Sequence, residues 1–505
     1  MKYDAIVVGS GFGGSVVALR LAEAGLRVAV LERGPWWAPS DFPRTTLDLL
    51  RRGQRTRLSP DGLFDVRRFD GISVYAGNGV GGGSLVYSNA LVRPPDAVLD
   101  AFPPGLRARD LGPRFARVLA MLKPAHAPDL PKSAHLRRLA ERLGEGSWRP
   151  LDLAVTFEGP RACVGCGLCN IGCHVHAKNT LDLTYIPAAV RAGAEVLARA
   201  KVERIEPVAG DDGYRVWFRH RSSGGRGERR YLVARRVVLA AGSVGSTELL
   251  LRGRARGDLP RLSGALGSRF SANGDHLAHA YGAAEPPEGR LGPIIASGID
   301  FGDVLIEDGG VPELFTGLIA RTVPGIVDDL EWVYRSLAAG RGFGAALGAL
   351  ASMRARVAGP PVDERTVTFC VMARDAADGS LYLDGGGRLR GRWRWNRSER
   401  AVRRVNDLLA RLGKAAGARV APNPIRRDAR AHTVHPLGGC PIGESAREAV
   451  VSPDGEAFGH SGLYVADGAI VPAAVGVNPS LTIAALAETI GEGIVAAAGA
   501  ARENR

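Results

Sequence analysis

The first part of the chain carries the pattern that most restricts its fold: an apolar strand, a glycine-rich turn, a helix and a second apolar strand ending in an acid. The turn reads Gly9-Ser-Gly11-Phe-Gly-Gly14, and the acid is Glu32. Gly9 permits a tight turn, Gly11 lets the backbone approach a pyrophosphate, and Gly14 lets the helix pack closely on the strand. An acid at this distance accepts hydrogen bonds from ribose hydroxyls. The pattern therefore predicts a Rossmann-type dinucleotide-binding unit, without choosing between NAD and FAD.

Further glycine-rich segments return later in the chain, which a single unit of this kind does not need. One is the loop Gly77-Asn-Gly-Val-Gly-Gly-Gly-Ser84, another is the turn Ala241-Gly242 after an apolar strand, and a third is Asp467-Gly468 after the last strand. The nucleotide-fold pieces thus surround a middle that lacks them. We expect a discontinuous nucleotide-binding domain of residues 1–95, 180–275 and 430–505, and a second domain of residues 96–179 and 276–429.

The size and the charge of the chain restrict the classes of partner that it can bind. A chain of 505 residues is long enough for two domains. The formal net charge is +14, but the basic residues scatter along the sequence, whereas a nucleic-acid binder gathers them on one face. We therefore expect no nucleic-acid partner. An apolar stretch at 337–353 leaves peripheral membrane contact open, beside an ordinary amphipathic helix. We find neither a signal peptide nor an apolar run of about 18 residues, and we expect a cytoplasmic protein.

Five motifs together resemble one family. They are the first strand–turn–helix unit and the segments GNGVGGGS, LAAGSVGSTELL, HPLGGCPIG and YVADGAIVPAAVGVNPSLTIAALAE. In this order they resemble the glucose–methanol–choline (GMC) oxidoreductases, and most of all the cholesterol-oxidase-like branch. The resemblance runs from residue 1 to about 490 and is weak at about 275–425. It implies an α/β protein in which a Rossmann-type FAD-binding domain interleaves with an α+β substrate domain.

The same resemblance implies FAD as the cofactor. Val202 is then the position whose backbone meets the adenine. No histidine precedes Gly77 to anchor a covalent flavin, so we expect non-covalent FAD. The implied cofactor-binding residues are Gly9, Gly11, Phe12, Gly13, Gly14, Glu32, Gly77, Gly79, Gly81, Gly82, Gly83, Ser84, Val202, Ala241, Gly242, Asp467, Gly468, Asn478, Pro479 and Ser480.

Removal of hydride from an alcohol requires that the hydroxyl proton leave. A histidine suits this task, because its ordinary pKa lies near neutral pH. His435 lies between apolar residues and a Pro-Leu-Gly-Gly turn, at the position of the family's active-site histidine. His432 is a less central neighbour. The resemblance places Asn478 beside flavin and substrate, and it suggests a carboxylate base, for which we take Glu313 with Glu307 as the rival.

Four cysteines lie within eleven residues: Cys163, Cys166, Cys169 and Cys173. Their spacing is that of a bacterial ferredoxin, although the fourth cysteine is followed by His174 in place of the usual proline. Three interpretations stay open, namely a [4Fe–4S] cluster, a structural zinc site, and thiols without metal. His174 and His176 are alternative ligands. A cluster would suit transfer of electrons to an acceptor protein or a quinone, and it would require a reducing compartment.

The sequence therefore predicts an FAD-dependent enzyme that oxidises an alcohol on a small hydrophobic, sterol-like substrate to a ketone or aldehyde. One alternative is a dehydrogenase of a non-sterol alcohol, such as a terpenoid, sugar or polyketide, with an acceptor other than O2. Another is an electron-transfer flavoprotein without an alcohol substrate of its own.

Overall fold

The computed structural model describes residues 3–56, 59–210, 213–222, 227–285, 292–310, 365–393, 397–420 and 431–503. Their helices are α1 (Phe12–Glu23), α2 (Thr46–Arg52), α3 (Asp96–Leu99), α4 (Ala108–Leu122), α5 (Pro131–Leu143), α6 (Tyr185–Arg191), α7 (Gly242–Ala255), α8 (Glu399–Ala415) and α9 (Ser480–Glu503). Their strands are β1 (Tyr3–Val8), β2 (Val28–Leu31), β3 (Phe64–Arg68), β4 (Ile72–Gly77), β5 (Ser147–Pro150), β6 (Glu195–Leu197), β7 (Ala200–Pro207), β8 (Tyr214–His220), β9 (Glu228–Leu239), β10 (His276–Tyr281), β11 (Ser297–Asp300), β12 (Val304–Gly309), β13 (Val367–Ala373), β14 (Ser380–Leu383), β15 (Leu389–Arg392), β16 (Arg419–Val420), β17 (Ala431–Thr433) and β18 (Leu463–Val465).

The first sheet has seven strands in the order β6-β2-β1-β9-β8-β7, and β18 also pairs with β9. Strand β1 runs parallel to β2 on one side and to β9 on the other. Helix α1 connects β1 to β2, so the predicted βαβ unit is confirmed. Ala5, Ile6 and Val7 are fully buried, which explains the continuous apolar sequence of this strand.

The second sheet has six antiparallel strands in the order β16-β10-β13-β12-β11-β5. Because successive side chains point to opposite faces, Ile306 and Phe369 pack with residues of α5 and α8 in one core cluster. Leu305 and Met372 point the other way and belong to the main core, which includes the first sheet. All six strands lie in residues that we assigned to the second domain, and the boundaries themselves stay a prediction.

Helix α9 is the longest helix of the described residues. Its stretch Ser480–Ala500 is long and apolar enough to cross a membrane by length and composition, although the sequence analysis found no such run. This stretch is 61% buried inside the protein, and Glu488 on it is fully buried with Arg20 of α1 at 2.8 Å. The burial and the ion pair are those of a core helix.

A small three-stranded sheet joins an early segment of the chain, which forms β3 and β4, to a late segment, which forms β17. Strand β17 runs parallel to β4, and β4 pairs with β3. The pairing brings the segment that carries His435 close to the glycine loop that begins at Gly77. Two sequence predictions, the base Glu313 and the apolar helix at 337–353, lie outside the described residues.

Candidate functional site

The cofactor-binding residues that follow strands of the first sheet meet at one edge. Gly9, Glu32, Ala241 and Asp467 each follow directly, or within one or two residues, the carboxyl end of β1, β2, β9 and β18. Since these strands are parallel, the four positions lie at the same end of the sheet. This edge is where open α/β sheets bind their ligands.

The two glycine loops touch each other. A Cβ atom on Gly82 would lie 2.8 Å from the Cα atom of Gly11, and one on Gly9 would lie 2.2 Å from the carbonyl oxygen of Ala240. By contrast, the Cβ positions of Gly11 and Gly83 have no atom within 4 Å in the described part of the chain. The glycines thus permit close backbone packing on one side and leave open space on the other, as a pyrophosphate cradle requires.

Glu32 ties these loops together. Its Oε2 atom accepts from the backbone N–H of Ser10 at 3.1 Å and from the Ser10 hydroxyl at 2.7 Å. Its Oε1 atom accepts from the N–H of Gly34 at 2.8 Å. The Ser10 oxygen in turn accepts from the N–H of Gly81 at 3.1 Å. Glu32 therefore organises both loops and keeps lone pairs for a ribose hydroxyl. Ala200 N of β7 donates to the Glu32 carbonyl oxygen at 2.7 Å, which brings the strand of Val202 beside this acid.

Asp467 closes the third turn. Its Oδ2 atom accepts from the N–H of Gly242 at 2.8 Å and from the hydroxyl of Ser246 at 2.5 Å, and its Oδ1 accepts from the N–H of Ala469 at 2.8 Å. Burial raises the pKa of Asp467 to about 6, although these hydrogen bonds favour the charged form. The turns after β9 and β18 are thereby joined through one carboxyl group.

Buried polar atoms at and just before the start of α9 make no hydrogen bond to the described residues. The Asn478 Oδ1, Ser480 Oγ and Thr482 Oγ1 atoms are buried and have no hydrogen-bond partner among the described residues. Buried polar groups without partners are rare and mark the site of a ligand or water. Together with the glycine cradle and its open sides, they fit FAD.

A buried carboxyl group of the second sheet lies near Asn478. Glu307 of β12 is fully buried, and neither of its oxygens has a hydrogen-bond partner within the described ranges. Burial raises the pKa of Glu307 to about 8, and the negative charges of Asp308 and Asp275 act in the same direction. The nearby Asn478 amide favours the charged form and opposes this shift in the pKa of Glu307. The raised pKa favours the uncharged form of Glu307 at neutral pH.

Asn478, just before α9, contacts the second sheet. Its Nδ2 atom lies 3.9 Å from the sulfur of Met372 in β13. Met372 stands opposite Leu305, and Cys370 stands opposite Glu307, so these four side chains share one face of the second sheet. The structure therefore brings Asn478 to the rival carboxylate of the sequence analysis, and Glu313 lies outside the described residues.

His435 is held by its own loop and by a distant one. Its backbone N–H donates to the Thr433 hydroxyl at 2.9 Å, and its Nδ1 atom lies 3.3 Å from Asp275 Oδ2. Asp275 Oδ2 also accepts from the N–H of Val434 at 2.7 Å. The neighbouring His432 lies elsewhere, with Nδ1 at 3.3 Å from the Tyr75 hydroxyl. Sequence reasoning missed Asp275, for which an Asn-Gly-Asp turn just before a strand was the only signal.

The four cysteines form no metal centre in this structure. All four are free thiols, and the described residues contain no group of three His, Cys, Asp or Glu side chains placed to hold a metal ion. Burial raises the pKa of the Cys163 thiol to about 11, and the three other cysteines of the run act in the same direction. The structure therefore does not confirm the iron–sulfur cluster or the zinc site of the sequence analysis.

A buried lysine connects the cysteine loop to the second glycine loop. Lys178 is 2% exposed, and its Nζ atom donates to the carbonyl oxygens of Leu85 at 3.1 Å, Tyr87 at 2.9 Å and Cys169 at 2.8 Å. Burial lowers the pKa of Lys178 to about 8. The cysteine loop thus supports the glycine loop from behind, a role that the spacing of its cysteines does not reveal.

Comparisons with known proteins agree with this geometry. Residues 3–262 and 377–487 match the two family models described as GMC oxidoreductase. A cholesterol oxidase of Acinetobacter baumannii is 30% identical over 96% of this chain and 93% of its own length. A long-chain-alcohol oxidase of Arabidopsis thaliana is 26% identical over 98% of this chain and 67% of its own length. The structure of pyridoxine 4-oxidase from Mesorbium loti has the same fold, with a TM-score of 0.67 and 17% identity over 97% of this chain and 98% of that one.

Proposed function

The chain is a member of the GMC oxidoreductase family, and we propose that it oxidises a primary or secondary alcohol on a hydrophobic molecule to an aldehyde or ketone. The observation that carries the proposal is Glu307, a buried carboxyl group beside Asn478 whose oxygens make no aligned hydrogen bond to the described residues. A buried polar group of this kind needs a partner that this described part of the chain does not supply, and a substrate hydroxyl is one. An electron-transfer flavoprotein without an alcohol substrate would have no use for it.

Three side chains act on the hydroxyl group of the substrate. His435 takes the hydroxyl proton, because an imidazole is a base near neutral pH. Asn478 donates a hydrogen bond to the oxygen from which that proton leaves. Glu307, uncharged below about pH 8, donates a second one. A neutral carboxylic acid is suited to this task, since it stabilises negative charge on oxygen without adding a charge of its own. When bound, FAD supplies the acceptor for the hydride from the carbinol carbon.

The surroundings of Glu307 favour a hydrophobic substrate. Leu305 and Met372 share its face of the second sheet, and Leu277 stands in register with Cys370 on the next strand. Leu277 is 46% exposed and lies two strands from the buried acid on the same face. An alcohol with an apolar body would cover this surface. Sterols and long-chain alcohols both have such bodies, and the named relatives act on one or the other.

The experiment is a stopped-flow measurement without oxygen. The FAD-loaded protein is mixed with cholesterol, 1-dodecanol or glucose, and the loss of flavin absorbance is followed. We expect rapid bleaching with a hydrophobic alcohol and none with glucose. Bleaching with none of a broad panel of alcohols would refute the proposal. Admission of air afterwards tests the acceptor: peroxide release indicates O2, whereas slow reoxidation without peroxide indicates a protein or quinone acceptor.

A further inference from the structure

One carboxylate and one amide within a short stretch connect both segments that carry the proposed catalytic side chains. Residues 271–275 read Ser-Ala-Asn-Gly-Asp and immediately precede β10. The Thr433 hydroxyl donates to the Ala272 carbonyl oxygen at 3.0 Å, and the backbones of Ser271 and Leu437 exchange hydrogen bonds of 2.9 and 3.1 Å. This organising loop therefore lies along the segment 433–437, which contains His435.

The same loop also fixes the approach to Asn478. Asn273 is fully buried, and its Oδ1 atom accepts from the N–H groups of Val475 and Gly476, both at 2.9 Å. Its Nδ2 atom donates to the carbonyl oxygen of Val477 at 2.7 Å. Three hydrogen bonds from one side chain hold the three residues that precede Asn478. The organising loop thus sets the distance between the segments of His435 and Asn478.

Asp275 is the member of this loop that reaches the imidazole. Its Oδ2 atom, held by the Val434 N–H, lies 3.3 Å from the Nδ1 atom of His435. Nδ1 is buried and has no aligned hydrogen bond in the described residues, and catalytic hydrogen bonds often close only when substrate binds. A carboxylate accepts and does not donate, so it favours the ring form with a proton on Nδ1.

We propose that Asp275 is a positioning residue, which fixes the ring orientation of His435 and keeps the proton on Nδ1. Nε2 is then the nitrogen with a lone pair for the substrate hydroxyl. In the step itself the hydroxyl proton passes to Nε2, Nδ1 keeps its own proton, and the positive charge of the ring faces the Asp275 carboxylate. The inference rests on the proposed alcohol oxidation, and it adds the group that prepares the base for it.

The decisive variant is Asp275→Asn, which keeps the shape and removes the preference for a protonated Nδ1. We expect kcat of flavin reduction to fall about 100-fold with little change in KM, because a base held in the wrong tautomer fails in the chemical step. Asp275→Glu should recover part of the rate. Asp384→Asn is the matched control, since Asp384 also accepts backbone hydrogen bonds, from Gly386 and Arg388, but in the turn between β14 and β15. It should lower the melting temperature and leave kcat within a few-fold.

A second measurement does not depend on turnover. In protein labelled with 15N-histidine, the His435 ring signals are identified by their loss in His435→Gln. We expect Nδ1 to carry the proton in the wild type and the two tautomers to mix in Asp275→Asn. Unchanged ring signals together with an unchanged kcat would overturn the role of Asp275. If the wild type oxidises no alcohol while the tautomer still depends on Asp275, the proposed function fails and the positioning role stands.

Discussion

The carboxyl group of Glu307 lies beside the amide of Asn478, where the face of the second sheet meets the start of α9. One side chain comes from the middle of the sequence and the other from its last fifth. Their meeting places a neutral acid and an amide, both hydrogen-bond donors, at the edge of the proposed FAD site. The first prediction tests what this acid donates.

Glu307→Gln retains an uncharged donor, whereas Glu307→Leu has none. If Glu307 donates a hydrogen bond to the substrate oxygen, we expect a loss of about 10-fold in kcat/KM for Gln and of at least about 100-fold for Leu. Stopped-flow flavin reduction measures both. Glu444→Gln, at an exposed position, is the control. Equal, severe losses in both Glu307 variants would instead make Glu307 the base.

The contribution of Glu307 to protein stability should fall as the pH rises toward 8. Burial raises the pKa of Glu307 from its ordinary value of 4.5 to about 8, so between these values the folded protein keeps a proton that the unfolded chain has lost. This contribution to the free energy of unfolding therefore decreases with pH in this window, on the order of 5 kcal/mol in all. Asp467, whose pKa burial raises to about 6, contributes with the same sign.

Denaturant unfolding at a series of pH values from 5 to 8.5 measures this dependence. Glu307→Gln, which cannot ionise, should flatten the curve and be more stable than the wild type near pH 8. Burial lowers the pKa of His276 and His279 to about 4, and these groups act in the opposite sense below about pH 6.5. The comparison with Glu307→Gln therefore isolates the carboxyl group, and equal slopes in the two proteins would show that Glu307 is charged in the folded protein. Flavin reduction by substrate should likewise slow above about pH 8, because an ionised Glu307 no longer donates a hydrogen bond.

Lys178 should matter for stability and for cofactor retention. Lys178→Met removes the shared donor of three buried carbonyl oxygens, and we expect a loss of about 2 kcal/mol in the free energy of unfolding. Because the second glycine loop loses its support, FAD should also dissociate more readily. Thermal unfolding and the flavin-to-protein absorbance ratio measure these effects. Lys414→Met, on the exposed side of α8, should change neither.

The cysteine loop should contain no metal. The anaerobic absorbance spectrum should show flavin bands alone, without iron or acid-labile sulfide, and thiol titration of the denatured protein should find six thiols per chain. About four iron atoms per chain, with a broad shoulder in the visible region, would contradict this prediction. That result would mean that the loop rearranges around a cluster and would favour an acceptor other than O2.

The features that sequence reasoning predicted correctly are local. The turn from Gly9 to Gly14 and the acid Glu32 belong to one βαβ unit, and the glycines of that unit have one geometric purpose. Each other cofactor segment likewise follows its own strand, so its place at the sheet edge follows from parallel pairing. Family likeness then ordered the segments correctly along the chain.

The features that it missed depend on contacts between distant residues. Nothing near Glu307 in the sequence tells whether it points toward the core or toward solvent, because only the register with Cys370 and the packing of Asn478 decide this. The pair of Asp275 and His435 likewise joins residues far apart in the chain. For the cysteines, spacing does not reveal the path of the backbone, which positive φ angles at Gly165, Gly167 and Gly172 turn between the thiols.

The pairing of β18 with β9 has a consequence for biosynthesis. Strand β9 leaves the ribosome long before β18, so the edge of β9 that pairs with β18 stays unpaired until β18 has been translated. The turn at Asp467 and the start of α9 come from the same late segment, and the nucleotide pocket therefore stays open until that segment emerges. Cofactor capture is then one of the last events in the maturation of the protein. Until then the nascent chain exposes an unpaired strand edge, at which chaperones would bind or aggregation would begin.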